Sequence, residues 1–404
     1  MANILFLAHR IPYPPDKGDK IRSWNILKHL SESHRVHLGC LIDDPRDWQF
    51  TETLEGVTTS AHFARISPKV ARIRGLISGL MRGEALSIGY FRDAGLQAWV
   101  DKTLATQRID YAVLFSSPMA RYVLDRGSAK VPMVVDFVDI DSDKWTQYAK
   151  HKRFPESWIY TREARTLLAF ERKVAARAKA SLFVSPAEAD LFRKLAPEVA
   201  ATVHPMNNGV DLDYFSPERS YEPTFRKTGP SVVFTGAMDY WANVDAVRWF
   251  VSEVWPRLRA THGDATFHIV GGNPTADVKA LANTPGVTVT GRVPDVRPYI
   301  AAADVVVAPM RIARGVQNKV LEGMSMARPV VTTPQGLEGI DAVPGQDLVL
   351  ADGAERVASA IETVLADKVP GISIAELCAN ARRHIVEHYS WAARLTVLDE
   401  LLTR

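Results

Sequence analysis

The sequence has little cysteine: 2 residues in 404, Cys40 and Cys378, one in each half and in no CxxC pair. This excludes a disulfide-stapled scaffold, and the lack of any Cys/His cluster at ligand spacing excludes a structural zinc site; both absences suit a reducing cytoplasm. Long apolar runs are also missing. The opening Ile4-Leu-Phe-Leu-Ala8 breaks at His9-Arg10 and again at Pro12, Pro14 and Pro15, too soon for a secretory core. Nothing elsewhere nears the roughly 20 apolar residues that span a bilayer. Charge of one sign is not in excess: 49 Lys and Arg against 46 Asp and Glu leave +3, which speaks against a dedicated nucleic-acid binder. Internal repeats and low-complexity tracts are absent. The loop after the first apolar run holds a lone glycine, Gly18, where a nicotinamide-binding fold places GxGxxG. The expected location is cytoplasmic, at most peripheral on the inner face of the cytoplasmic membrane.

What is present is an ordinary globular composition, 47% hydrophobic and 24% charged, in a chain long enough for two cores. Short runs rich in Val, Ile and Phe alternate with segments of helical period, the pattern of α/β domains with parallel sheets. Strands are expected near 2–8, 34–42, 61–66, 110–115, 131–137 and 180–184. A second set follows the polar stretch Ser216 to Pro230: 231–236, 265–270, 286–290, 304–308 and 329–332. Helices are expected at 19–31, 243–260, 316–327 and 353–365. Ile385, Tyr389, Trp391, Leu395, Leu398 and Leu402 predict one further helix from Arg382 to Leu402. In such sheets, ligands bind beyond the carboxyl ends of the strands, where helix N-termini offer backbone N–H groups.

The richest segment at such a position is Gly315-Val-Gln-Asn-Lys-Val-Leu-Glu322, after the strand run Val305-Val-Val-Ala308. Gly315 permits close backbone approach, and the helix start favours a diphosphate. Lys319 adds a point charge for the same phosphates. Glu322, at i+3, falls on the same face with a carboxylate suited to a ribose diol; the alternative is a surface Lys319–Glu322 ion pair. In the loop before the first helix, Gly18 is the candidate for phosphate contact, with Lys17, Lys20 and Arg22 making the segment basic, or it is a plain turn. The strand 131–137 ends in Asp136, Asp139, Asp141 and Asp143. Carboxylates crowded there suit a base or an acceptor-hydroxyl ligand, Asp139 first. The DxD triplets read as accidental rather than metal-binding, and Asp143 is a candidate N-cap for a helix from Lys144.

Arg65 to Arg82 carries Arg65, Lys69, Arg72, Arg74 and Arg82 with no acid, while Val70, Ile73, Ile77, Leu80 and Met81 recur at helical spacing. This describes an amphipathic basic helix fit for an anionic membrane surface, although a helix packed on a core is the commoner explanation. A second basic run, Lys144 to Lys179, sets ten Lys and Arg against Glu156, Glu163 and Glu171.

Gly315 to Glu322, followed by a small-residue helix and Pro329-Val-Val331, resembles the donor-site signature of GT-B glycosyltransferases, particularly family 4. Asn207-Asn-Gly-Val-Asp211, Val270-Gly-Gly272, Val289-Thr-Gly-Arg-Val293 and Tyr389-Ser-Trp391 match in order. In finer detail His9-Arg-Ile-Pro-Tyr-Pro-Pro-Asp-Lys-Gly-Asp-Lys-Ile-Arg22 and Asp139-Ile-Asp-Ser-Asp-Lys-Trp145 resemble the sugar transferases of PEP-CTERM/exosortase exopolysaccharide systems. The resemblance implies two Rossmann-like domains facing each other across a cleft. These would be an acceptor-side domain at 1–217, a nucleotide-sugar domain at 218–383, and a C-terminal helix at 384–404 packing back on the first. It implies retaining, metal-independent transfer from a nucleotide-sugar donor to a glycan or polyprenyl-linked acceptor, with no cofactor. Gly18, Gly236, Gly271, Arg292, Arg314, Gly315, Val316, Lys319 and Glu322 would bind the donor, and Asp139 and Lys319 would serve the chemistry. Two departures stand out. Arg314 occupies the place of the family's first motif Glu. The basic pair usual after the first strand of the second domain is missing from Phe234-Thr-Gly-Ala-Met-Asp-Tyr-Trp-Ala-Asn243, so Lys319 is expected to supply its charge. A GT-B-like sugar-nucleotide epimerase and a non-catalytic nucleotide-sugar binder remain the alternatives.

Overall fold

The Val- and Ile-rich runs pair as parallel strands, and in the computed structural model residues 1–15, 18–124, 131–150, 152–225, 227–312 and 316–403 are described. Seven strands form the first sheet: β1 (Asn3–Ala8), β2 (Arg35–Ile42), β3 (Ser60–Arg65), β4 (Tyr111–Phe115), β5 (Met133–Val138), β6 (Ala180–Phe183) and β7 (Val203–Pro205). Their order is β3-β2-β1-β4-β5-β6-β7. Six form the second: β8 (Ser231–Thr235), β9 (Thr266–Val270), β10 (Val287–Gly291), β11 (Val305–Ala308), β12 (Val330–Thr332) and β13 (Val349–Leu350), in the order β10-β9-β8-β11-β12-β13. Helices cover both faces of such sheets, which is why Ile4, Leu5, Phe6, Leu7 and Ala8 of β1 are all fully buried instead of alternating. The edge strands β7 and β13, of 3 and 2 residues, are too short to show a period and escape the sequence reading.

Nine helices matter below: α1 (Gly18–Ser33), α2 (Pro68–Arg82), α3 (Leu86–Tyr90), α4 (Asp141–Lys150), α5 (Glu156–Arg177), α6 (Trp241–Trp249), α7 (Asn318–Ser325), α8 (Ile374–His388) and α9 (Trp391–Thr403). The helix expected at 243–260 does run on to Thr261, but through a π turn at Phe250–Val254. Pro256 lacks the N–H for the residue four before it and crowds that carbonyl, which explains the widened turn. The single helix expected from Arg382 to Leu402 is two, α8 and α9. Tyr389 leaves helical geometry because its carbonyl accepts the Val210 N–H at 2.7 Å, and Ser390 Oγ restarts the helix by accepting the Ala393 N–H at 3.1 Å.

The chain divides into two compact units, Met1–Asn208 with Leu395–Arg404, and Gly209–Arg394. Each has its own core: Phe137, Phe183 and Phe192 pack ring against ring in the first, Phe250, Trp255 and Phe267 in the second. Residues 209–217 go with the second unit because Val210 bridges Ser390 and a side chain at Gly209 would lie 2.5 Å from the Trp391 nitrogen. In both sheets the strand order reverses beside the first strand of the unit, between β1 and β4 and between β8 and β11. These are the two switch points at which an open parallel sheet leaves a crevice.

Candidate functional site

At the second switch point, β11 leads into the segment that ends at α7. Ala313, Arg314 and Gly315 lie outside the described residues, so the places of Arg314 and Gly315 are not assigned. Val316 is half-buried, close to Gly339. Gln317 precedes the first turn of α7 with extended backbone. It is a residue the sequence reading passed over: it is 8% exposed, and its Oε1 accepts a hydrogen bond from Lys319 Nζ at 3.1 Å. Lys319 is itself 8% exposed, and its Nζ stands 5.3 Å from the centre of the Phe234 ring on β8. The ammonium is thereby held between the Gln317 amide and the Phe234 ring of β8. Burial pulls its pKa down to about 8, against the opposing charge of Glu322.

Glu322 is one turn further along α7, half-buried, with its pKa pushed by burial up to about 7 against the pull of Lys319. Its carboxylate has no hydrogen-bond or ion-pair partner among the described residues, so the surface ion pair offered as the alternative does not form. An acid and a base share one helix face. Neither is neutralised by the other, and both titrate near neutrality, an arrangement that awaits polar groups from elsewhere.

The other donor-side candidates separate into two kinds. A side chain on Gly271 would lie 1.7 Å from the Gly236 carbonyl oxygen, and one on Gly236 would lie 2.7 Å from Asn243 Nδ2. These glycines are required by the packing of the β8 and β9 ends, whatever else they touch. Arg292 is exposed just past β10, beside Gly272. Gly18 is the opposite of the packed glycines: it opens α1, is exposed, and an added side chain would meet nothing within 4 Å.

The basic loop expected around Gly18 is corrected by the structure. Lys17 lies outside the described residues, while Lys20 and Arg22 point inward, each 1% exposed. Lys20 Nζ bonds Asp47 Oδ2 at 2.8 Å; Arg22 bonds both oxygens of Asp136 at 2.7 and 3.1 Å and reaches the Met206 carbonyl and Asn208 Oδ1. A buried charge needs a partner, and these residues found theirs inside the fold. Asp136 is thus removed from the acidic group.

Asp139 and Asp141 remain at the strand ends, and both accept from Lys144 Nζ, at 2.9 and 3.0 Å. Burial lowers the Lys144 pKa, but the two carboxylates outweigh it and raise the value. Asp143 is not the cap of a helix from Lys144; α4 already begins at Asp141, and Asp143 accepts from Gln147 Nε2. Two side-chain-bearing residues at these strand ends have left-handed backbone: Ser116 after β4, with φ 77°, and Val138 closing β5, with φ 68°. Strain of this kind costs on the order of 1 kcal/mol or more and clusters at binding sites. Val138 is the turning point that aims Asp139 past the sheet.

His9, at the carboxyl end of β1, was missed as a candidate although it opens the first motif. Its ring stacks at 5.7 Å on Phe115 and meets Phe91 edge-on at 5.4 Å, with Nε2 3.7 Å from Asp19 Oδ2. Burial lowers its pKa, followed by the Arg10 charge, so the imidazole is kept neutral. No group of three or more His, Cys, Asp or Glu with metal-binding geometry occurs among the described residues.

The profile of the family described as Glycosyl transferases group 1 matches residues 229–367, the stretch that holds β8 to β13 and α7. Among curated proteins none matches the sequence. Among solved structures the chain is similar over 100% of its length to Anabaena HepE, crystallised with UDP and glucose, with a TM-score of 0.64 and 17% identity over 100% of that chain. It is similar to a sucrose-phosphate synthase from Thermosynechococcus elongatus with a TM-score of 0.64 and 15% identity, covering 100% of this chain and 98% of that one. WaaG, a glycosyltransferase involved in lipopolysaccharide biosynthesis, gives a TM-score of 0.60 at 16% identity, covering 98% and 99%. The architecture is that of a GT-B glycosyltransferase, and the unit carrying Lys319 and Glu322 holds a glycosyltransferase group 1 domain, which makes the chain an enzyme of sugar transfer.

Proposed function

We propose that the chain moves a sugar from a nucleotide-sugar donor to a glycan or lipid-linked acceptor, in the assembly of an exopolysaccharide or other cell-surface glycan at the inner face of the cytoplasmic membrane. The finer kinship with the PEP-CTERM/exosortase transferases belongs to the same reading. The observation that carries it is the partnerless Glu322 carboxylate beside the Lys319 ammonium, on a helix that starts at the switch point of the second sheet. Glu322 accepts from the ribose diol. Lys319 and the N–H groups at the start of α7 stabilise the departing diphosphate, charge that grows as the glycosidic bond breaks. Gln317 fixes where the ammonium points. At Gly18 packing gives no reason for a glycine, which supports close approach of phosphate to the start of α1.

Asp139, aimed by the strained Val138, binds the acceptor hydroxyl. Transfer proceeds with retention by a front-face route, the leaving diphosphate taking the acceptor proton, as the family resemblance implies. It proceeds without a metal, since Asp139 and Asp141 already share the Lys144 ammonium. UDP-sugars are the donors to try first, because HepE has been crystallised with UDP-glucose. The test is a thermal-shift screen of UDP-, GDP-, ADP- and dTDP-sugars, then a transfer assay with the best binder. Stabilisation by one class, lost in Glu322→Gln, is expected; no stabilisation by any nucleotide overturns the reading.

A further inference from the structure

Helix α2 has its faces the wrong way round for a helix that covers a sheet. The side it turns toward the protein is built of small residues, Ala71, Gly75 and Gly79, one turn apart and all buried. A side chain on Gly75 would lie 2.7 Å from the Leu86 carbonyl oxygen, and one on Gly79 would lie 2.5 Å from the Leu86 side chain. This stripe lets α2 dock tightly on α3. The large ones face out: Val70 is 61% exposed, Ile73 60%, Ile77 55% and Met81 82%, with Leu76 beside them. The commoner explanation of the sequence pattern, an apolar stripe on a core, is thereby corrected.

The outer face extends onto a second helix. Arg162 of α5 donates to the Gly79 carbonyl at 2.6 Å, tying α5 to the last turns of α2. Trp158, one turn before Arg162, is 57% exposed, and Phe154, just ahead of α5, is 81% exposed. Around these apolar groups lie Lys69, Arg72, Arg82 and Arg153, all exposed and without an ion-pair partner among the described residues. Helix α2 itself contains no acid.

We infer that the outer faces of α2 and the start of α5 form a docking surface for an anionic lipid bilayer. Apolar side chains that stand clear of the surface, aromatic anchors at one end and the cations of a helix that carries no acid, with Glu156 at the start of α5 already paired to Lys152, match the acyl boundary and the phosphate layer of such a membrane. From Val70 to Met81 the face runs about 16 Å, so α2 lies in the interface plane and does not cross it. No helix among the described residues is long and apolar enough to span a bilayer. The inference deepens the proposed membrane-face assembly of a glycan by naming the surface that holds the enzyme there.

The test is co-sedimentation of the full chain with vesicles of phosphatidylcholine alone and with about one third phosphatidylglycerol. Binding is expected only to the anionic vesicles, weakening as salt rises from about 0.05 to about 0.5 M. Lys69→Gln with Arg72→Gln should weaken it about 25-fold, about fivefold per cation. Ile73→Asp with Ile77→Asp should abolish it while leaving the circular-dichroism spectrum and thermal midpoint unchanged, since both residues are exposed. Equal binding to both vesicle types, wild-type binding by the aspartate variant, or a dimer in the absence of lipid that the same variant dissolves would overturn the inference. Donor stabilisation in the aspartate variant reads the sugar-transfer proposal separately, because that measurement needs no membrane.

Discussion

Lys319 and Glu322 stand one helical turn apart and do not pair, and burial brings their pKa values together, to about 8 and about 7. The proposed roles need both charged: a carboxylate to accept from the ribose and an ammonium for the diphosphate. Raising the pH through about 7 ionises Glu322, and raising it further through about 8 discharges Lys319. The kcat/KM for donor, which reports the free enzyme, should therefore trace a narrow bell with its maximum between these values. Lys319→Arg keeps its charge and should remove the alkaline limb even if its altered reach lowers the rate. Glu322→Gln should remove the acid limb and cost on the order of tenfold or more in kcat/KM, as loss of a charged hydrogen-bond acceptor does. A pH–rate profile unchanged in both variants would dissociate these groups from donor binding. The identities of Lys319 and Glu322 were legible in sequence from their spacing after a buried strand. Their separation was not, because an i,i+3 Lys–Glu pair looks the same in sequence whether it closes on itself or opens to a ligand. Lys20 and Arg22 were misread for a related reason. Their partners Asp47 and Asp136 lie 27 and 114 residues away, and only the fold brings them near.

At the scale of elements, the strands were legible because β-branched residues in buried runs leave few alternatives, and the helices because their apolar period is long. What failed was the behaviour at ends. The break between α8 and α9 depends on Val210, far off in the chain, and β7 and β13 are shorter than any period. The start of α4 shows how an end is built from a distance. Glu171 of α5, 1% exposed, accepts from Ser142 Oγ at 2.5 Å and from the Ser142 N–H at 3.3 Å. Its pKa is raised by burial to about 8 against an ordinary value of 4.5. The sign follows from linkage: stability from this group is fully present below about 4.5, where both states are protonated, and is lost as pH rises through about 8. The loss runs at on the order of 1 kcal/mol per pH unit. Glu171→Gln keeps an accepting oxygen for the Ser142 N–H, turns its NH2 as donor toward Ser142 Oγ, and cannot ionise. Its advantage over the wild type in urea denaturation should grow from pH 5 to about pH 8 and then level off. A constant difference across that range would show that Glu171 ionises in place at little cost.

The whole molecule is two α/β units strung on one chain, but the strand count conceals how the chain is distributed between them. It leaves the first unit at Asn208, completes the second at Arg394, and gives its last ten residues, Leu395–Arg404, back to the first. Leu395, Leu398 and Leu402 are 1%, 0% and 5% exposed, and Asp399 meets His29 Nε2 at 2.8 Å. A buried leucine cut to alanine costs about 2–5 kcal/mol, and a domain's whole stability is about 5–15 kcal/mol. Removing three such side chains together therefore takes away most or all of the margin of a unit whose remaining residues end at Asn208. A chain stopped after Arg394 should lose the folded first unit, seen as collapse of its hydrogen-exchange protection in β1 and β4, while β8 and β11 stay protected. Leu398→Ala, the milder change, should lower the stability of the first unit by about 2–5 kcal/mol in urea denaturation. On the proposed roles of Lys319 and Glu322, donor-induced stabilisation of the second unit should survive both changes, less the contact at Gly18. The order of synthesis has a consequence as well. The first unit emerges early yet lacks the residues from Leu395 on until the second unit has been made, so a stalled chain of 394 residues should resist protease only across the second unit. Full protection of the first unit in that truncated chain would show that the three leucines are dispensable to it.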